Sequence, residues 1–593
     1  MGLTTQTKFF GLLFSFLLFL QFESLAEGTK EIMPTSGTPN RICLQKSYSN
    51  FAHYGAHKSS RLQITIKNTG EKIYFGVGQI LTPQLFLFFT LYNSVNDVSF
   101  RLIRPDSTIA IASTPLPTSG VGFIDSYTKA INGPMQLTGS SSTGYNALEY
   151  TTNMIGDWYI EFDFPNWDSN ELREFELFDI TVAAGSTKKL GRVWSKSWQL
   201  TGSWNFFSST YPFQGTLYTY SDDGFTTELK FNEFYPNVFN AFSNAIGVQN
   251  TGNFEEDAKS RSTKFNSPGY KVFLNNPDPL VFPSGSLGDV SGTITTLGQC
   301  TGETDISFNV TSKGRVELTI QIDPATGIQP IDRIIYSNVN TGINTIHWDG
   351  LNGLGAPLQN GTIVNFYLTY YNGLTNFPIW DPDQNGTGFY ITSTNPTWNP
   401  INILWNDQLI GGNSQLLGCN SSPLTGCHDF GSSVGNNKTV NTWWYFKKTT
   451  KGPIPYRYRH HTTGLSSLSM CDGDSILFNG TYLKHDGVYN AIFPSKLTSC
   501  DSTHSLTIIL KPQPIGSGTY SIESCNTSPI IIGPDPIAGL TYSWNSGQTT
   551  SKIQTTSSGN YILIVKGDNG CSSLLNYNII LNSPFPIAPI EHY

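Results

Sequence analysis

Cysteine, aspartate, serine and histidine gather twice near the C-terminal end of the chain. One stretch reads SMCDGDSILFNG from Ser469; the other reads TSCDSTHSL around Cys500 and His504. A thiolate with an imidazole in reach, from His485 or His504, would be a nucleophile. Thiols and imidazoles together could instead hold zinc. The frame, however, recurs with other neighbours, as Cys525 in ESCNTS and Cys571 in NGCSS. The cysteines repeat, whereas the aspartate, serine and histidine do not. A disulfide accounts for what repeats, and the chain has an even count of 8 cysteines. The spacing suggests local bridges Cys419–Cys427, Cys471–Cys500 and Cys525–Cys571. The pairing of Cys43 and Cys300 stays open.

Residues 381–386 read DPDQNG, with Asp381, Asp383 and Asn385 at the first, third and fifth places of a calcium loop. The twelfth place is Thr392, where that loop needs a bidentate glutamate, and the flanks read as strands. An Asp/Asn-rich turn explains the stretch better than a metal site. His428, His460 and His461 lack any ligand spacing and read as loop or surface histidines. Trp380, Trp398, Trp405, Trp443 and Trp444 could line a sugar-binding platform, with Trp443 and Trp444 as its candidate aromatics; core packing is the plainer reading for most of them. There is no G-x-S-x-G, H-E-x-x-H, P-loop or carboxylate pair at catalytic spacing, so no enzyme and no cofactor are expected.

Composition bounds the rest. Charged residues make up 13% of 593, while Gly (56), Pro (33) and aromatics (13%) abound. Short alternating runs between turn residues predict an all-β chain of tandem sandwich or Ig-like domains. A balance of 35 basic to 43 acidic residues, net −8, offers no basic stripe for nucleic acid. At the start, Lys8, the apolar residues 9–22 and the small Ser24 and Ala26 form an export signal, with mature protein beginning near Glu27. The apolar run at residues 85–89 reads as a buried strand, and no transmembrane anchor is expected.

The text divides into a signal (1–26), a β-sandwich (27–184), a second β domain (185–288), an Ig-like domain (289–376), an aromatic, loop-rich β region (377–462), two small Ig-like repeats (463–514 and 515–584) and a tail (585–593). In the first domain, DVSFRLI puts Val98, Phe100 and Leu102 on one face. In the second, SDDG at residues 221–224 reads as a hairpin turn. VELTIQID opens the third, which then reaches Trp348-Asp349-Gly350, Gly355 and Gly361. The two repeats share a frame: Tyr489 in GVY lies 11 residues before Cys500, and Tyr561 in GNY lies 10 before Cys571.

The WDG stretch resembles the Ig-like module of flagellar hook-capping proteins. More broadly, the chain resembles extracellular multi-domain Ig-like proteins of Bacteroidota, linked to gliding motility and type IX secretion. KEIMPT, GEKIYFGVGQ, NTIHWDGLNGLGAP, LLGCNSSPLTGCHDF and TVNTWWYFKK carry the likeness, together with CDGDSILFNG and LTYSWNSGQTT. The resemblance implies a secreted structural or adhesive protein without catalytic residues. Its partner would be a surface polymer, glycan or protein; the alternative is a carbohydrate-binding accessory of a polysaccharide-utilising system. After Leu581 only NSPFPIAPIEHY remains, without a TPNGDG-like sorting segment, so a periplasmic address stands beside the extracellular one.

Overall fold

A computed structural model describes residues 26–36, 40–45, 50–78, 97–165, 172–202, 212–264, 268–398, 401–525 and 528–583. Nearly all of the export signal (1–25), the run at 85–89 and the tail lie outside them. Among the described residues the chain is all-β: strands follow one another from Arg41–Leu44 to Ser572–Leu581, and the longest helix, Tyr127–Asn132, has 6 residues. None of these helices is long and apolar enough to cross a membrane.

Two large sheets and a smaller one build the N-terminal body. One is eight-stranded and runs from Ser414–Cys419 through Asn402–Asn406, Thr439–Tyr445, Thr375–Trp380, Val238–Phe242, Ser197–Thr201 and Arg41–Leu44 to Arg173–Phe175. The second, nine-stranded, carries Phe389–Asn395 at one edge and Ile109–Pro115 at the other. The third is four-stranded and centres on Lys72–Gly78 and Leu177–Ala184. A single apolar cluster extends from Ile32 to Phe446 and includes Trp158, Trp198, Phe231, Phe377 and Trp444. The boundaries expected at 184/185 and at 376/377 are therefore not domain boundaries for the body. Thr226–Phe231 pairs with Phe389–Asn395, and Val238–Phe242 with Thr375–Trp380, across more than a hundred residues of intervening chain. Local composition cannot reveal such non-local pairing.

Local patterning worked where one face is buried. Val98, Phe100 and Leu102 all point into the core. SDDG joins the antiparallel strands Thr216–Tyr220 and Thr226–Phe231, with Gly224 at φ +87. A side chain on Gly224 would also meet the backbone of Gly285 at 2.7 Å, so only glycine suits this turn.

The WDG domain is split. Residues from Val290 to Asn372 form two facing sheets, and Lys447–Arg457 returns from the body to complete one of them beside Ile363–Asn372. In Gly314–Gln321 burial alternates strictly, with Val316, Leu318 and Ile320 inward. Trp348 is fully buried against Phe366, Tyr456 and Tyr458, and its indole N–H donates to the Leu351 carbonyl at 2.8 Å. Gly350 (φ +77) passes so close to Gly302 that a Cβ would sit 2.5 Å from its carbonyl oxygen.

Two small modules follow, and they share a layout. In the first, Thr463–Cys471 runs parallel to Ser502–Lys511, which pairs antiparallel with Gly487–Phe493. In the second, Gly518–Ser524 runs parallel to Ser572–Leu581, which pairs antiparallel with Gly559–Lys566. The Tyr489 hydroxyl donates to the His485 carbonyl and the Tyr561 hydroxyl to that of Ser557, each four residues upstream at 3.1 Å. These bonds resemble the tyrosine corner of Ig-type sandwiches.

The disulfides correct the expected pairing. Cys419 and Cys427 are joined, 8 residues apart. Cys471 pairs with Cys571 rather than Cys500, and Cys500 pairs with Cys300. Cys525 is an exposed free thiol, and Cys43 a free one in the core whose burial pushes its pKa up. The separations of 200 and 100 residues mean that each long bridge joins one module to the next. Polar contacts flank both joints: His461 N–H donates to the Cys300 carbonyl at 2.8 Å, and the Asn569 amide to that of Pro512 at 2.9 Å.

Candidate functional site

The densest buried polar chemistry surrounds His428. The preceding residue is held twice, by the bond to Cys419 and by paired backbone hydrogen bonds between Cys427 and Phe389 (2.6 and 2.8 Å). His428 then takes a left-handed conformation, φ +66. This lays its ring flat on Trp405, with centroids 4.7 Å apart and planes 13° apart. Its Nε2 lies 2.8 Å from Asp407 Oδ2 and its Nδ1 2.7 Å from Thr442 Oγ1. The Ser260 hydroxyl donates to Asp407 Oδ1 at 2.6 Å and accepts from the Asn441 N–H at 2.8 Å.

A hydroxyl, an imidazole and a carboxylate in that order could activate a nucleophile. His428, Asp407 and Thr442 are each only 1% exposed, however. No substrate atom reaches Thr442 unless the eight-stranded sheet opens. As built, the set is a buried network that ties the Cys419–Cys427 loop to two strands. His428 is thus a core residue and not the loop or surface histidine expected from its lack of ligand spacing; Asp407, Thr442 and Ser260 carry no spacing signal toward it. His460 and His461 lie elsewhere, at the joint beside Cys300.

The aromatic candidates separate. Trp444 is fully buried, and its indole N–H donates to Thr227 Oγ1 at 3.0 Å. Trp443 points to the other face of the same strand, half-buried edge-on to Phe254 at 5.0 Å. Adjacent strand residues face opposite ways, so the two cannot form one platform. A separate aromatic cleft of about 560 Å³ is lined by Trp398, Asn402, Tyr445, Phe446, Lys447, Lys448 and Thr450. Trp398 is 40% exposed there.

The DPDQNG stretch keeps its carboxylates occupied. Asp381 accepts from the Asn437 N–H at 2.6 Å, and Asp383 from the Asn237 N–H at 2.8 Å. Burial, reinforced by Asp381, raises the Asp383 pKa. Asn385 Oδ1 accepts from the Gly388 N–H at 3.0 Å. Asp381 and Asp383 both adopt positive φ, as Asp in turns tolerates. Among the described residues no group of three His, Cys, Asp or Glu side chains could hold a metal ion.

A second set of buried titratable groups carries no motif or spacing in the sequence. Glu27, Glu31 and Asp179 are buried together where the first described residues cross Leu177–Ala184. Burial raises all three, with Glu31 pushed up to about 7 and Asp179 to about 6. Nearby, Arg192 is buried with its Nε 2.8 Å from Asp278 Oδ2 and its Nη1 3.4 Å from Glu71 Oε2.

No family model and no curated protein matches the sequence. A DUF4785 family protein from Legionella pneumophila is similar in structure at 11% identity and TM-score 0.12, over 58% of this chain and 85% of that one. The N-terminal eight Ig domains of Down Syndrome Cell Adhesion Molecule match at 8% identity and TM-score 0.10, over 88% of this chain and 70% of that one. Both likenesses are too loose to carry an argument.

Proposed function

We propose that this chain is an exported structural or adhesive protein, of the kind its sequence resembles among extracellular Bacteroidota proteins. It binds a surface polymer, glycan or protein through the sheet faces of its C-terminal modules. The observation that carries the reading is the pair of bridges between successive modules, Cys300–Cys500 and Cys471–Cys571. Such bonds form and persist in oxidising compartments, and they hold an array in line without a large core.

The outward sheet face of the first small module supports the binding role. Register places Leu465, Ser505 and Asn490 side by side, so Val488 and Ile492 share their face. Leu465 is 84% exposed and Val488 and Ile492 are 63% exposed, amid Ser and Thr. Apolar residues gathered on one open face are a common mark of interaction surfaces.

Attachment of cells producing wild-type or Leu465→Ser/Val488→Thr/Ile492→Thr protein tests this, alongside protease digestion of intact and permeabilised cells. Loss of attachment with unchanged melting supports the reading; full attachment by the triple variant, or protection until permeabilisation, overturns it. The Trp398 cleft favours the second reading, glycan binding, with Lys448 suiting an acidic polymer. Quenching of Trp fluorescence by an anionic polysaccharide, abolished by Trp398→Ala, would support it.

A further inference from the structure

The backbone N–H of Glu27 donates to Asp179 Oδ1 at 3.0 Å. Asp179 is completely buried, and it also accepts from Tyr145 Oη (2.7 Å) and Thr181 Oγ1 (2.8 Å). The Glu27 carboxylate is equally buried and accepts only backbone N–H groups, from Val193 at 3.1 Å and Arg192 at 3.4 Å. Glu31 and Asp179 each lie close enough to Glu27 for like charges to oppose one another. Lys188 faces Asp179, but its ammonium donates to the Asn132 carbonyl at 3.1 Å, and burial lowers its pKa to about 8. A pocket this acidic calls for a further cation, because buried carboxylates are costly unless paired.

We infer that export processing supplies that cation: hydrolysis of the Ala26–Glu27 amide leaves an α-ammonium on Glu27, which folds into a buried ion pair with Asp179. In the cut, water adds across the bond. Ala26 leaves as a carboxylate, and the Glu27 amine takes up a proton. The small residues Ser24 and Ala26 suit a leader peptidase at this bond. Ala26 and Glu27 are both 0% exposed in the folded protein. The cut must therefore precede folding, and folding then locks the new terminus in place. This inference rests on the export reading above.

The experiment expresses the complete chain in an exporting host and proceeds in two steps. Intact mass of the secreted or periplasmic protein reads the terminus. Native protein is then treated at neutral pH with an amine-acylating reagent, and labelling of Glu27 is timed against the same protein in denaturant. The expected result is a chain beginning at Glu27 whose amine reacts at least about tenfold more slowly when folded, as an ammonium held by a carboxylate does. In Asp179→Asn the protection should fall away. If that variant does not fold, the pH dependence of wild-type labelling decides: a native amine that titrates above the denatured one supports the pair, and one that titrates at or below it overturns the pair. A chain that is not cut, or is cut elsewhere, overturns the export signal and the inference with it. A chain cut before Glu27 whose amine labels equally fast folded and unfolded overturns the ion pair and leaves the export reading standing.

Discussion

The N-terminal body and the C-terminal array solve the same problem by different means. In the body, strands from distant parts of the sequence share sheets, and aromatic rings fill one core. Phe231 alone touches Phe213, Phe234, Phe239, Phe377 and Phe389 at centroid distances of 5.1 to 6.3 Å. In the first small module the core cluster has only Met470, Leu506 and Ile508 as its buried members. Such a module removes too little apolar surface from water to be robust alone. The cross-links stand where they are needed: one inside the body closes an 8-residue span, while two in the array span 200 and 100 residues. Covalent constraint thus replaces hydrophobic burial as the cores shrink.

This contrast can be broken by removing the two long bridges. Cys300→Ser/Cys500→Ser or Cys471→Ser/Cys571→Ser should each destabilise the array by about 5 kcal/mol on the chain-entropy estimate. The body's melting transition should not move. Calorimetry of each double variant against the wild type checks this without opening the Cys419–Cys427 bond of the body, and a body transition that falls in step with the array would erase the distinction.

The second break lies inside the body. Trp444→Ala should cost about 3–5 kcal/mol, and Trp443→Ala about 1–2 kcal/mol. Hydrogen exchange in Trp444→Ala should rise together in the strands Arg41–Leu44, Ser197–Thr201, Thr375–Trp380 and Thr439–Tyr445, because they share one sheet and one core. Independent exchange of the first two strands and the last two would restore the boundaries that the sequence suggested.

The buried carboxylates give a pH dependence of known sign. The folded pKa of Asp179 is raised from 3.8 to about 6 and that of Glu31 from 4.5 to about 7. Their neutral forms favour the fold, so this stability is fully present below about pH 4 and is lost as pH rises through about 6 to 7. Asp179 alone contributes on the order of 3 kcal/mol to the change. Urea midpoints of protein acetylated at Glu27 should fall across this range, and those of protein with a free amine should fall less.

The smallest effect sharpens the likeness between the two modules. Tyr489→Phe and Tyr561→Phe should each cost about 1 kcal/mol, the net worth of one hydrogen bond. Unequal losses would separate the two corners energetically despite their shared geometry.

How far the sequence could be read follows the range of the forces involved. Alternation along one strand is local, so Val98, Phe100 and Leu102, or Val316, Leu318 and Ile320, were legible as buried faces. Turn chemistry is local too, and SDDG and the WDG glycines stand where their spacing placed them. The same alternation argues against grouping Trp443 with Trp444, since neighbours in a strand diverge. The His428 network was hidden: its members come from residues 260, 407, 428 and 442, and only the folded sheet makes them neighbours.

The sequence by itself therefore determined the all-β class, the module repeat and the residues that must be buried, because each depends on contacts a few positions apart. Tertiary structure alone decided how Cys300, Cys471, Cys500 and Cys571 pair, which distant strands share a sheet and which carboxylates lie buried beside Glu27. Those outcomes depend on pairing across a hundred or more residues, where composition and periodicity hold no information about the partner.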